Sequence, residues 1–197
     1  MTALRRSQLD PDPLRQLERW RYDATEAGVD TTLAALATAS SGGRPSVRMV
    51  LVKGLETGAL RFFTNYESRK AAELAENPLA ALLFHWPGRQ IRVEGAVERL
   101  PEAESDAYFQ SRPPGSRLSA AISPQSRPVE SRAELEAAVE ALRERHPDGE
   151  VPRPPEWGGY RLVPDTYEFW QHDRHRMHDR FRYTSADGGW LIERLAP

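Results

Sequence analysis

No cysteine occurs in the 197 residues. Disulfides, cysteine-ligated zinc, iron–sulfur clusters and thiolate nucleophiles are thereby excluded. Long apolar runs are also missing. The longest, Leu79 to Phe84, falls far short of the roughly 20 residues that cross a bilayer as a helix. The opening stretch MTALRRSQLDPDP has no apolar centre and does not read as a secretory signal. A cytoplasmic protein without membrane contact is the expectation. No excess of one charge exists: 27 Lys and Arg face 29 Asp and Glu, for a net −2. A duplex binder would carry a basic excess, so nucleic acid is not an expected partner. There is no G-x-G-x-x-G, no G-x-x-x-x-G-K-[ST] and no G-x-S-x-G, which leaves dinucleotide, P-loop and hydrolase-elbow sites without support. No repeat or low-complexity tract is present.

What is present is enough for one domain of ordinary size. Apolar residues make up 39%, and this length can bury its own core. The expected parts are an N-terminal arm and helix over 1–30, a main barrel with inserted helices over 31–130, and a helix with C-terminal strands over 131–197. Asp12-Pro13 starts a helix as N-cap and first-turn proline. Leu17, Trp20, Ala24 and Ala27 recur at helical spacing, and Gly28 stops it. Short runs at 33–39, 46–54, 59–64, 79–86 and 91–100 are rich in Val, Leu, Ile, Phe and Ala. Ser41-Gly42-Gly43, Glu56-Thr57-Gly58 and Pro87-Gly88 separate them. Helices are predicted at 68–77, 101–111 and from Ser131 to Arg145, the last with capping-box spacing at Ser131 and Glu134. After a proline-rich loop at 147–155, strands return at 159–163, 166–171, 180–184 and 190–195. The fold class is α+β with a mostly antiparallel β-barrel core and flanking helices; the runner-up is an open α+β sheet.

Cations cluster beside Ser and Gln, which in a near-neutral chain points to a small anionic ligand. Arg48-Met49-Val50-Leu51-Val52-Lys53 is a strand with a cation at each end; Arg48, Val50 and Val52 share one face. Taken alone, it reads more readily as an ordinary core strand with snorkelling ends. Phe62 to Lys70 runs from an aromatic strand into a helix that opens with Ser68, Arg69 and Lys70. A helix N-terminus with two added cations can seat a phosphate, or it is a plain capped helix. Tyr108, Arg112 and Ser116 fall at spacing four, and their chemistry suits a phosphate monoester. Pro113 and Pro114 end that helix, which leaves Ser116 in a loop. Ser123-Pro124-Gln125-Ser126-Arg127-Pro128 is a rigid polar loop, suited to a ligand or merely a connector.

His172, His175 and His178 at spacing three raise a metal reading, but no metal-binding helix pattern accompanies them. If 176–180 is extended, Arg176, His178 and Arg180 line one face as an anion pocket.

Nine blocks, in order along nearly the whole chain, resemble the pyridoxamine 5'-phosphate oxidase family. They are R-M-V-L-V-K-G at 48–54, F-F-T-N-Y-E-S-R-K at 62–70, R-Q-I-R-V-E-G at 89–95, Y-F-Q-S-R-P at 108–113, S-P-Q-S-R-P at 123–128, W-G-G-Y-R at 157–161, E-F-W-Q at 168–171, R-M-H-D-R at 176–180 and E-R-L-A-P at 193–197. The resemblance implies a split-barrel homodimer with FMN in clefts between subunits. It implies FMN contacts from Arg48, Met49, Val50, Leu51, Val52 and Lys53, from Phe63, Thr64, Arg69 and Lys70, and from Gln90, Gln125, Ser126, Trp170 and Arg180. Tyr108, Arg112 and Ser116 would hold a substrate phosphate. Lys53, Arg176, Met177 and His178 would face the substrate ring, with Arg176 and His178 as the catalytic pair.

The implied activity is oxidation of pyridoxamine or pyridoxine 5'-phosphate to the aldehyde, with hydride passing from C4' to flavin N5 and dioxygen reduced to hydrogen peroxide. Three departures bear on the substrate more than on FMN. Members carry an L-R-R-E-Y-like segment before the first helix that helps to cover the substrate, and this chain starts too late to hold it. The usual L-G-A-W-A-S is here Leu118-Ser119-Ala120-Ala121-Ile122-Ser123. The loop between Trp86 and Arg89 is short. A relative acting on another ring compound, as phenazine-pathway flavin oxidases do, and a non-catalytic carrier of FMN or pyridoxal phosphate are the alternatives.

Overall fold

The computed structural model describes residues 3–54 and 60–197. The expected turn Glu56-Thr57-Gly58, and Ala59 at the head of its following strand, lie outside the described residues. After a 3-10 turn at Arg6–Gln8 come α1 (Pro13–Glu26), β1 (Leu33–Ala39), β2 (Pro45–Leu51), β3 (Leu60–Asn65), α2 (Arg69–Glu76), β4 (Leu79–Trp86) and β5 (Arg89–Arg99). Beyond them lie α3 (Glu102–Ser111), α4 (Pro114–Ile122), α5 (Arg132–Arg145), β6 (Trp157–Gln171), β7 (Asp179–Ala186) and β8 (Gly189–Leu195).

Every strand pairing is antiparallel, in the order β2-β1-β4-β5-β6-β7-β8. The long strand β6 makes the architecture. Its first half pairs with β3, from Trp157 opposite Asn65 to Leu162 opposite Leu60. Its second half pairs with β7, from Thr166 opposite Thr184 to Gln171 opposite Asp179. The sheet therefore splits along one edge of β6. A single bridge from Lys53 to Arg61 links the end of β2 to β3, so the sheet curls round towards itself as a split barrel without full closure.

Local chemistry explains most elements. The Asp12 carboxylate accepts the Leu14 N–H at 2.9 Å, and Pro13 opens α1. Leu17, Trp20 and Ala24 of α1 are buried, and Trp20 meets Phe169 edge-on at 5.2 Å. Gly88 and Gly188 turn the β4–β5 and β7–β8 hairpins with φ of +75 and +78, where a side chain would be strained.

Two expectations need correction. Residues 159–163 and 166–171 are one strand, not two. Pro164 has no N–H for the ladder, so the register with β5 slips between Glu94 and Gly95 instead of ending. Gly95 is required there, because a Cβ would lie 2.0 Å from the Val163 carbonyl oxygen. Ser116, expected in a loop, lies instead in the helix Pro114–Ile122, because Pro114 stands in its first turn, a position that tolerates proline.

The barrel interior holds Leu36, Phe62, Leu82, Ile91, Leu162 and Phe169, all fully buried; each such side chain contributes about 1.5–3 kcal/mol of transfer free energy. A second apolar cluster around Phe109, Leu118, Leu142, Val151 and Trp157 lies under α3, α4 and α5. The outer side of β2 is apolar and exposed: Val47 is 69%, Met49 59% and Leu51 50% accessible. No described helix is long and apolar enough to cross a membrane.

Candidate active site

Strand alternation sends Arg48, Val50 and Val52 inward and leaves Met49 and Leu51 outward. Inside, Arg48 meets Glu73 in the second turn of α2. Its Nη1 donates to the Leu36 carbonyl at 3.0 Å and to Thr38 Oγ1 at 2.6 Å; its Nη2 donates to Ser46 Oγ and to Glu73 Oε2 at 3.3 Å. Arg69 donates from Nε to Glu73 Oε1 at 2.9 Å.

Beside them Lys70, only 8% exposed, donates to Thr64 Oγ1 at 2.8 Å, Ser68 Oγ at 3.2 Å and Gln125 Oε1 at 2.8 Å. Thr64 Oγ1 also donates to Gln125 Oε1 at 2.7 Å. Ser68 does not cap α2 with its side chain; its hydroxyl donates to the Asn65 carbonyl instead. The opening N–H groups of α2 are thus left without a side-chain cap. Burial, with the Arg48 charge behind it, pulls the Lys70 ammonium down to about 8. Burial would push Glu73 up, yet hydrogen bonds from Ser46, Thr38 and Arg69 outweigh it and hold its carboxyl at about 2.

An aromatic wall adjoins this cationic seat. Phe63 stacks on Tyr108 with centroids 3.8 Å apart and on Trp157 at 5.6 Å. Arg112 lies over the Trp157 ring at 4.9 Å, and its buried Nη1 has no hydrogen-bond partner among the described residues. Burial is the main cause that raises the Tyr108 phenol and lowers the Arg112 guanidinium. A cavity of about 290 Å³ joins the two groups: Thr64 and Gln125 line it together with Phe63, Tyr108, Arg112 and Trp157.

Tyr108, Arg112 and Ser116 do not share one helix face, because α3 ends at Ser111, Arg112 is extended, and Ser116 belongs to the first turn of α4. Ser126, next to Gln125, is exposed with φ +73. Lys53 is held by its backbone bridge to Arg61.

The remaining candidates form a second group. Strand register sets Gln90 opposite Trp170 and Trp170 opposite Arg180, three side chains abreast on β5, β6 and β7. The His178 ring stands 4.7 Å from Trp170. Asp173 N–H donates to His178 Nδ1 at 3.1 Å, so the neutral ring carries its proton on Nε2. Arg180 donates from Nε to the buried Glu168 at 2.9 Å and from Nη1 to the Ala196 carbonyl at 3.0 Å.

The expected extended run 176–180 is wrong at its start. Strand β7 begins at Asp179, and Arg176 occupies a turn with φ +61, hydrogen-bonded to the Asp173 carbonyl. Arg176 therefore shares no strand face with His178 and Arg180; it and Met177 are exposed. Among the described residues no group of three His, Asp or Glu is placed to hold a metal ion.

These two groups stand at opposite ends of one strand pair. Arg99 opposite Tyr160 marks one end and Gln90 opposite Trp170 the other, about 30 Å apart along β5. Sequence reasoning missed Glu73, Trp157 and Glu168. For Glu73 a signal existed: it lies four residues after Arg69 and on the buried face of α2 with Ala71 and Leu74.

Residues 24–146 match the family model described as pyridoxamine 5'-phosphate oxidase, and residues 157–197 match the pyridoxine 5'-phosphate oxidase C-terminal dimerisation region. A pyridoxine/pyridoxamine 5'-phosphate oxidase of Ralstonia nicotianae is 55% identical over 193 residues, covering 96% of this chain and 91% of that protein. Its counterpart in Ralstonia pickettii is 54% identical with the same coverage. Among solved structures, PhzG from Burkholderia lata in complex with tetrahydrophenazine-1-carboxylic acid superimposes with a TM-score of 0.93 at 32% identity, over 100% of this chain and 99% of that one. A pyridoxamine 5'-phosphate oxidase-related, FMN-binding protein of Nostoc punctiforme shares the fold at TM-score 0.75 and 21% identity, over 94% and 98% of the two chains.

Proposed function

The chain belongs to the pyridoxamine 5'-phosphate oxidase family, and from that premise we propose that it oxidises pyridoxamine or pyridoxine 5'-phosphate to pyridoxal 5'-phosphate, with FMN as cofactor and dioxygen as final acceptor. The observation that carries this reading is the pair of polar groups on one cavity: Thr64 and Gln125, both bonded to Lys70, on one side, and Tyr108 with Arg112 on the other. A phosphorylated cofactor and a phosphorylated substrate require two such groups within reach of each other. The residues fit FMN. Lys70 and the uncapped start of α2 suit its phosphate. The flat strip of Gln90, Trp170 and Arg180 suits its ring system. When bound, FMN supplies the hydride acceptor.

The protein's own part is binding and orientation. Arg112, whose buried Nη1 has no partner among the described residues, takes the substrate phosphate through charge-assisted hydrogen bonds, with Tyr108 as neighbour. His178 offers Nε2–H as a donor to the ring, since its Nδ1 is held by Asp173. Arg176 adds charge and constrains where C4' comes to rest. C4' gives up a hydride and the attached hydroxyl or amine a proton. The alcohol yields the aldehyde directly and the amine yields it after water releases ammonia; dioxygen leaves as hydrogen peroxide.

A homodimer is part of this proposal. One chain holds its phosphate seat and its Trp170–Arg180 strip at opposite ends of β5 and β6, so a second copy is needed to bring one of each together. The match of residues 157–197 to a dimerisation region and the exposed apolar side of β2 support it.

The PhzG superposition favours a second reading, oxidation of a larger ring compound; the 50–55% identity to pyridoxine/pyridoxamine 5'-phosphate oxidases favours the first. Peroxide release from the FMN-loaded protein given pyridoxamine 5'-phosphate is the test. One peroxide per aldehyde is expected. FMN-loaded protein that releases none would overturn the assignment and leave the other ring substrates or a carrier role.

A further inference from the structure

The cationic seat contains a buried carboxylate that phosphate binding does not require. Glu73 is 6% exposed. It accepts hydrogen bonds at 2.5 Å from Thr38 and from Ser46, and it ties Arg48 of β2 to Arg69 of its own helix. We propose that Glu73 is a positioning residue for the phosphate end of the cofactor, fixing the two guanidiniums so that Arg48, Arg69 and Lys70 form one charge-matched seat. The inference rests on the FMN reading above.

Three observations support it. The first is geometric. A guanidinium is a rigid planar fork. With Nε of Arg69 committed to Glu73, the opposite edge of that fork is turned away from Glu73, in a side chain 57% exposed. Arg48 has both Nη groups committed to Leu36, Thr38, Ser46 and Glu73, so it supplies fixed charge more than free donors.

The second is charge. Three cations and one carboxylate leave a net +2, and a phosphate monoester carries about −1.5 to −2 at neutral pH. The third is cost. Burying an ion pair seldom adds stability over apolar packing, so its persistence among cofactor-facing cations points to preorganisation.

The test uses apoprotein titrated with FMN and with riboflavin, which has the same ring but no phosphate, followed by flavin fluorescence. Glu73→Gln keeps the shape and removes the charge. It should raise the FMN Kd about 10- to 150-fold, the equivalent of one charge-assisted hydrogen bond, and leave the riboflavin Kd within about twofold. An unchanged ratio of FMN to riboflavin affinity, or tighter FMN binding, would overturn the proposal; a Glu73 that merely subtracts charge from the seat would give the tighter binding.

Ser46→Ala removes one donor to Glu73 without altering charge and serves where Glu73→Gln does not fold. FMN should then weaken several-fold with riboflavin unaffected, and equal values would again count against Glu73. Wild-type protein that binds no FMN would sink the cofactor reading and this inference together. Wild-type binding with a neutral Glu73→Gln sinks only the inference.

Discussion

If FMN binds as proposed, Lys70 should make its affinity fall at alkaline pH. Its ammonium is buried and surrounded by neutral acceptors, Thr64, Ser68 and Gln125. The charged groups facing the seat are Arg48 from β2 and Arg69 and Glu73 from α2. Burial first, then Arg48, draws Lys70 down to about 8 from 10.5. A phosphate placed against it favours the charged form and restores a higher value. The free protein therefore loses this proton near pH 8 while the complex keeps it. Between those values binding takes up one proton, and the FMN Kd climbs towards tenfold per pH unit, about 15-fold in all from pH 8 to 9.5. Riboflavin should show no such slope.

Stability of the free protein runs the other way. The unfolded chain holds the proton up to 10.5 and the folded chain releases it above about 8, so the unfolded state binds more protons in that window. Unfolding free energy then climbs with pH, by at most about 3 kcal/mol. Lys70→Met removes both trends and weakens FMN at pH 7. Fluorescence titrations and urea melts at pH 7, 8, 9 and 9.5 are the measurements. An FMN Kd that stays flat to pH 9.5, or the same slope in Lys70→Met, would refute the reasoning.

Arg112→Ala should raise KM for pyridoxamine 5'-phosphate about 10- to 150-fold with FMN still bound; equal loss of FMN would mean that Arg112 serves the cofactor. Arg176→Ala should cut kcat/KM by about two orders of magnitude, because it removes both charge and constraint. Arg176→Gly should do the same yet melt higher than Arg176→Ala, since φ +61 suits glycine. Flavin bleaching at the wild-type rate at saturating substrate in Arg176→Ala would remove it from the chemistry. His178→Asn keeps a donor and should lose less. Light scattering of the FMN-loaded protein should give two chains; a loaded monomer would contradict the shared site.

Much of this fold is legible because turn chemistry is local. Pro87-Gly88 announces its hairpin, and Asp12-Pro13 announces α1, without knowledge of any other residue. One failure depended on a partner distant in sequence and two on local turns that were misjudged. Pro164 looks like the end of a strand until Gly95, far earlier in the chain, is seen to make room for the bulge. Pro114 looks like a terminator until it is recognised as a first-turn residue. Arg176 looks extended until the Asp173 turn bends it. The site residues were legible as types, cations with hydroxyls and amides. Their grouping was not, because Gln90, Trp170 and Arg180 become neighbours only through strand register. Glu73 and Glu168 were passed over because a glutamate near an arginine is usually a solvated pair, worth little; here each is 6% exposed.

Those two glutamates share a logic with the two strained residues. Among the described residues, Ser126 and Arg176 are the non-glycine positions with positive φ, a conformation that is uncommon and costs free energy. Glu73 and Glu168 each hold arginines from a buried position, an arrangement that apolar packing could replace with little loss or even a gain in stability. Stability alone therefore explains none of the four. Each lies within or directly behind a position singled out by phosphate chemistry: Ser126 beside Gln125, Arg176 beside His178, Glu73 behind Arg48 and Arg69, Glu168 behind Arg180. Sequences depart from local consistency mainly where function requires it. The departures here fall into the same two groups as the candidate residues, at the two ends of β5 and β6. In the proposed dimer, the strain and the buried charge would mark two halves of one site, each preorganised for the second chain that completes it.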